Sequence, residues 1–167
     1  IDKSTTKVEI GTMRLYLMQH GEALPKDVDA DRPLSEQGRG DAERMAAFLK
    51  SANIAAARVV HSGKTRARQT ADILATALLA GKASEMLEGL DPNDPVMPFA
   101  ERVAVWDEDS LVVGHQPFMS KAVCLLMTGN EEHAAVDFRP GSLVCLEREQ
   151  DGPWGLAWML RPELFPG

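Results

Sequence analysis

The sequence predicts an α/β fold: a three-layer sandwich with a mostly parallel central sheet flanked by helices. Three observations lead there. RLYLMQH (14–20), RVVHS (58–62) and SLVVGH (110–115) are short, nearly continuous apolar runs of the kind that strands buried on both faces require. Each is followed by a segment with helical spacing of apolar residues, and alternation of strand and helix is the signature of a layered α/β sheet. The length of 167 residues, 44% of them hydrophobic and 26% charged, suits a single globular domain with a sizeable core.

Taken in order, residues 1–12 (IDKSTTKVEIGT) are polar and aperiodic. They are expected to be an appended or disordered leader, with a single domain over 13–167. The first strand delivers Gln19 and His20 to its C-terminal end, and a polar loop, GEALPKDVDADRPLS, follows. Ser35 is the expected N-cap of a helix whose Ala42, Met45, Ala46 and Leu49 recur at i, i+3, i+4 and i+7. After the second strand, a helix is expected from about Thr65 to Ala80, with Ile73, Leu74, Ala77 and Leu78 on its core face and Gly81 as its stop. Pro117 is placed to open a further helix with a Phe118, Ala122, Leu125 and Leu126 stripe, ended by Gly129. SLVCLERE (142–149) and WGLAWMLR (154–161) flank Asp-Gly-Pro and read as a hairpin-like strand pair.

The net charge of −7 argues against broad electrostatic binding to nucleic acid or to an anionic membrane, and neither is expected as a partner. The two cysteines, Cys124 and Cys145, each sit in an apolar run and read as buried reduced thiols; together with the want of a secretory signal they lead us to expect a cytoplasmic protein.

Ligands of open α/β sheets bind beyond the carboxyl ends of the strands. Here those ends carry His20, Ser62 and His115, and both histidines adjoin glycines. Two arginines lie close in sequence to these ends: Arg32 in the DRPLSEQG loop and Arg66 at the start of the helix after the second strand. Arginine presents a planar fork of donors that matches phosphate oxygens, and a helix N-terminus adds backbone N–H groups. The combination describes an anion pocket containing a nucleophile. The histidines are not spaced as zinc ligands, so no metal and no cofactor is expected. His61 is expected at the rim, His133 on the surface, and Lys64 and Arg68 beside Arg66.

Four blocks in order resemble the histidine phosphatase superfamily, and within it the small SixA-type phosphohistidine phosphatases. They are LYLMQHGEA, DADRPLSEQG, VVHSGKTRARQT and LVVGHQP, spread from Met13 to about Met127. The resemblance implies a histidine-phosphatase-like sandwich and a phosphatase acting through a phosphohistidine enzyme intermediate. By position, His20 would be the nucleophile, with Arg66 and His115 the other catalytic residues. Gln19, Arg32, Arg66 and His115 would bind phosphate. A neutral imidazole is a competent nucleophile, and charge stabilisation does most of the rest.

One position departs from the pattern: the family's Arg before the nucleophile is Gln19 here, which can donate from its amide but brings no charge. The candidate general acids are Asp29 and Glu22. The stretch between Arg66 and His115 is short and proline-rich, without room for a large lid, so the site is expected to be open. That suits a phosphorylated protein, such as a phosphocarrier or a phosphotransfer domain. Two alternatives are a small phosphomonoester or nucleotide phosphatase, and an inactive phosphate- or phosphohistidine-binding module. The sequence leaves oligomeric state open.

Overall fold

A computed structural model describes residues 11–133 and 136–166. The first ten residues of the expected leader lie outside the described residues, and Thr12, its last, already belongs to the first strand. That strand, β1 (Thr12–Gln19), is followed by α1 (Glu36–Ser51), β2 (Arg58–His61), α2 (Thr65–Leu78), β3 (Glu85–Met86), α3 (Met97–Ala104), β4 (Ser110–Gly114), α4 (Phe118–Thr128), β5 (Leu143–Glu149) and β6 (Gly155–Leu160), with a 3-10 turn at Pro162–Leu164.

The six strands form one sheet in the order β3-β2-β4-β1-β5-β6. β3, β2, β4 and β1 run parallel, while β5 is antiparallel to β1 and β6 antiparallel to β5. The sheet is therefore mostly parallel, and the terminal pair is the expected hairpin-like unit, with an irregularity between Cys145 and Leu146. Leu15, Tyr16, Leu17 and Met18 are all buried because helices cover both faces of the sheet. Tyr16, Met18, Leu111 and Val113 pack with Met45 and Leu49 of α1 and Leu74 of α2. On the opposite face Leu15, Leu17 and Val112 pack with Phe99 of α3 and Phe118, Met119 and Ala122 of α4.

Local signals place α1 well. Ser35 accepts the Gly38 N–H at 3.0 Å, and Ala42, Met45, Ala46 and Leu49 are all buried. Gly38 allows a close approach rather than merely loosening the first turn, since a Cβ there would lie 2.0 Å from the Glu22 carbonyl oxygen.

Two core stripes need correction. In α2 the buried residues are Ala67, Thr70, Ala71, Leu74, Ala75 and Leu78, whereas Ile73 and Ala77 are only half-buried. Small residues let this helix lie close to α1 and the sheet. In α4 the buried set is Phe118, Met119, Ala122, Val123 and Cys124, with Leu125 and Leu126 half-buried. FMSKAVCLLMT is apolar on most sides, so its spacing does not choose a face; packing against the sheet and Phe99 does. The helix α2 ends at Leu78, ahead of the expected Ala80, while Gly129 caps α4 in the left-handed region at φ 77°. Both cysteines are buried, and neither is in a disulfide. Among the described residues no helix is long and apolar enough to cross a membrane.

Candidate active site

Parallel strands bring their carboxyl ends to one edge, and β1 and β4 are in register there, with Gln19 opposite Gly114. The residues that follow are joined by backbone bonds. His20 N–H donates to Gly114 C=O at 3.0 Å, and Gln19 N–H to Ser142 C=O at 3.1 Å. Gly141 N–H reaches the carbonyls of Gln19 at 3.1 Å and His20 at 3.0 Å. His20 and His115 thus face each other with ring centroids 5.0 Å apart, showing 9% and 1% of their surface to solvent.

The hydrogen bonds of His20 decide its tautomer. Nδ1 lies 2.6 Å from the Gly21 carbonyl oxygen, which can only accept, so Nδ1 carries the proton. Nε2 then holds a lone pair, and Arg66 Nε donates to it at 3.3 Å. The His115 Nε2 shares a proton with Ser62 Oγ at 2.6 Å, while its Nδ1 is buried without a partner. Ser62 Oγ also accepts the Lys64 N–H at 3.3 Å.

Burial, helped by the charges of Arg66 and Arg32, pushes the His20 pKa down to about 4 against the weaker opposing effect of its Gly21 bond. Burial also pushes His115 down to about 3, with His20, Arg66, Lys64 and Arg32 adding to it. Two neutral imidazoles therefore sit among converging cations, the field an oxyanion needs. The charge of Asp91 acts on Arg66, and its carboxylate lies 3.9 Å from Lys64 Nζ.

These depressed values predict a pH dependence of stability. Unfolded histidine titrates near 6.5, so between about pH 6.5 and 4 the unfolded chain binds more protons than the folded one. Stability contributed by both histidines is present above that window and lost as pH falls through it. The urea midpoint is expected to drop from pH 7 to pH 5 by more in the wild type than in His115→Gln. Equal drops would mean that His115 is not held neutral by the fold.

The loop carrying Arg32 is closed on itself and pinned to α2. Leu24 N–H donates to Pro33 C=O at 2.8 Å, Thr65 Oγ1 to Asp31 Oδ2 at 2.8 Å, and Leu34 N–H to Gln69 Oε1 at 2.8 Å. Arg32 itself adopts φ 48° and donates from Nε to Leu24 C=O at 3.1 Å. Gln19 is buried at the strand end, and its Oε1 has no partner.

The expected acids lie in other bonds. Glu22 accepts from Ser35 Oγ at 2.8 Å beside the α1 cap, and Asp29 accepts the Asp31 N–H at 3.0 Å; both are exposed. His61, expected at the rim, is buried and accepts the Gly63 N–H on Nδ1 at 3.0 Å; His133 is exposed. Sequence reasoning missed Asp91, which sits in an irregular turn with no periodic signal, and Thr70, although the RARQT block contained it. Between Arg66 and His115 the chain completes α2 and then folds as β3, a turn, α3 and β4. Among the described residues no group of three or more His, Cys, Asp or Glu could hold a metal ion. A cleft of about 500 Å³ lined by Arg148, Pro153 and Leu156 has no histidine in its wall, so side-chain chemistry rather than concavity locates the site.

Known proteins resemble this chain in sequence and fold. The family model described as histidine phosphatase superfamily (branch 1) matches residues 15–91. An uncharacterized protein of Picosynechococcus is 31% identical over 128 residues, 72% of this chain and 77% of that protein. Phosphohistidine phosphatase SixA of Escherichia coli (strain K12) is 27% identical over 155 residues, 90% of this chain and 94% of that protein. The structure of the protein histidine phosphatase SixA complexed with tungstate superposes with a TM-score of 0.79 at 25% identity, covering 90% of this chain and 97% of that one.

Proposed function

The chain belongs to the histidine phosphatase superfamily, and from that premise we propose that it removes the phosphoryl group from phosphohistidine on a protein, without a metal, through a phosphohistidine intermediate on His20. The observation that carries the reading is the His20 ring: Nδ1–H is held by Gly21 and the Nε2 lone pair lies under the Arg66 guanidinium. The likeness to protein histidine phosphatase SixA supports the same substrate class.

In this reading Arg32, Arg66 and His115 hold the phosphoryl oxygens, with the Gln19 amide as a weaker contact. His20 Nε2 attacks phosphorus as the bond to the substrate imidazole breaks, and the electron pair leaves with that imidazole, which takes up a proton. Water then attacks the phosphoryl group on His20, releasing inorganic phosphate and a proton and restoring the Nε2 lone pair. Positioning and charge stabilisation supply most of the catalysis. Where the leaving group needs a proton donor, Asp91, whose carboxylate lies 3.9 Å from Lys64 Nζ and whose charge acts on Arg66, joins Glu22 and Asp29 as a third candidate.

Turnover of a histidine-phosphorylated phosphotransfer domain, compared with an aryl phosphate and repeated after exhaustive EDTA treatment, tests the proposal. The phosphoprotein is expected to be the better substrate, with activity surviving the chelator. Faster aryl phosphate hydrolysis would select the small phosphomonoesterase reading, and phosphate binding without turnover of either would select the binding module. Activity restored only by an added divalent ion would remove the metal-free mechanism.

A further inference from the structure

The peptide joining His20 to Gly21 is held at both ends. Its carbonyl accepts the Gly141 N–H at 3.0 Å, and its N–H donates to Thr70 Oγ1 at 3.1 Å. Thr70 Oγ1 in turn donates to the Arg66 carbonyl at 2.8 Å, one turn earlier in α2. Thr70 is fully buried, so this hydroxyl has no water to replace either bond. The next carbonyl, that of Gly21, is the acceptor that keeps the His20 proton on Nδ1. One side-chain oxygen therefore couples the backbone of the nucleophile to the helix turn that presents Arg66.

We propose that Thr70 is a positioning residue for the nucleophile: its hydroxyl sets the Gly21 peptide, and through it the tautomer and direction of the His20 ring, relative to Arg66. Thr70 touches no substrate. It acts because a hydroxyl can accept from one backbone and donate to another at the same time, which neither an alkyl group nor a single donor can do. The neighbouring Gln69 holds the Arg32 loop through Leu34 N–H, so adjacent residues of α2 set both sides of the anion pocket. Serine would keep both bonds, whereas valine would keep the shape and lose both.

The inference rests on the phosphatase reading for its kinetic arm but not for its spectroscopic one. Thr70→Val and Thr70→Ser are compared with the wild type after thermal melts confirm that each is folded; Thr70→Ala replaces the valine variant if that one does not fold. A misplaced reacting group commonly costs about a hundredfold, so Thr70→Val is expected to lower kcat on a histidine-phosphorylated phosphotransfer domain about ten- to a hundredfold with KM little changed. Thr70→Ser is expected to restore most of that loss. Nitrogen-15 NMR of labelled histidine should show a single Nδ1–H tautomer for His20 in the wild type and serine variants and a mixture in the valine variant. A valine variant with wild-type kcat and an undisturbed His20 tautomer would overturn the proposal. If the wild type turns over no phosphoryl substrate, the tautomer measurement alone decides for or against Thr70, and the failure belongs to the phosphatase reading.

Discussion

His20→Ala is expected to abolish turnover, by about 10⁴-fold or more, the order seen when an enzyme loses its covalent nucleophile. The variant removes the lone pair on Nε2 that accepts from Arg66 Nε at 3.3 Å. It leaves Arg32, Arg66 and His115 in place, so the pocket should still bind inorganic phosphate. The loss should therefore fall on kcat rather than on phosphate affinity measured by calorimetry. In the wild type, quenching during turnover should trap an acid-labile phosphoryl adduct on His20, as expected of an N–P bond. Full activity in a folded His20→Ala variant, or an adduct on a different residue, would end the assignment of the nucleophile.

Gln19→Arg is the substitution expected to raise activity. Gln19 immediately precedes the nucleophile, is 9% exposed, and buries an Oε1 that has no partner. A buried acceptor without a donor costs about 1–3 kcal/mol, and arginine has no acceptor to strand. Arginine would also add a charge-assisted contact to the phosphoryl oxygens, worth roughly 1.5–3 kcal/mol. Each ~1.4 kcal/mol realised only in the transition state is a tenfold gain, so kcat/KM is expected to rise about ten- to a hundredfold. Without a bound anion the new charge is buried and unpaired, so the free variant should melt lower than the wild type and gain more from added phosphate. Steady-state kinetics of both proteins on one substrate checks this. An unchanged or lower kcat/KM in the folded variant would show that Gln19 is not a weakened phosphate ligand.

Much of this site was legible because its parts are local signals. A buried strand announces itself by a short apolar run, and the polar residues that end it are where a ligand can reach. His20, Ser62 and His115 were found that way, and the order of the four blocks tied them to Arg32 and Arg66. Ser35 was legible as a cap because the bond it makes spans three residues. The two-residue β3 and the eight-residue α3, with Phe99 and Val103 as its only buried residues, were not legible because neither contains enough turns or alternations to make a period.

The sequence by itself determined the fold class, the strand ends on which the candidate site is built, and the departure at Gln19. Each of these is encoded within one segment, in the spacing of apolar residues or the identity of a single side chain. Only the tertiary structure decided which way His20 holds its proton and which carboxylate stands by the cations. It also showed that Thr70 joins Gly21 across 49 positions and that Ser62 joins His115 across 53. Such partners are chosen by strand order and helix packing, which bring distant residues together after the local pattern has finished its work. The same reason explains the faces of α2 and α4: helical spacing shows that an apolar side exists, but the surface it meets selects which residues are covered.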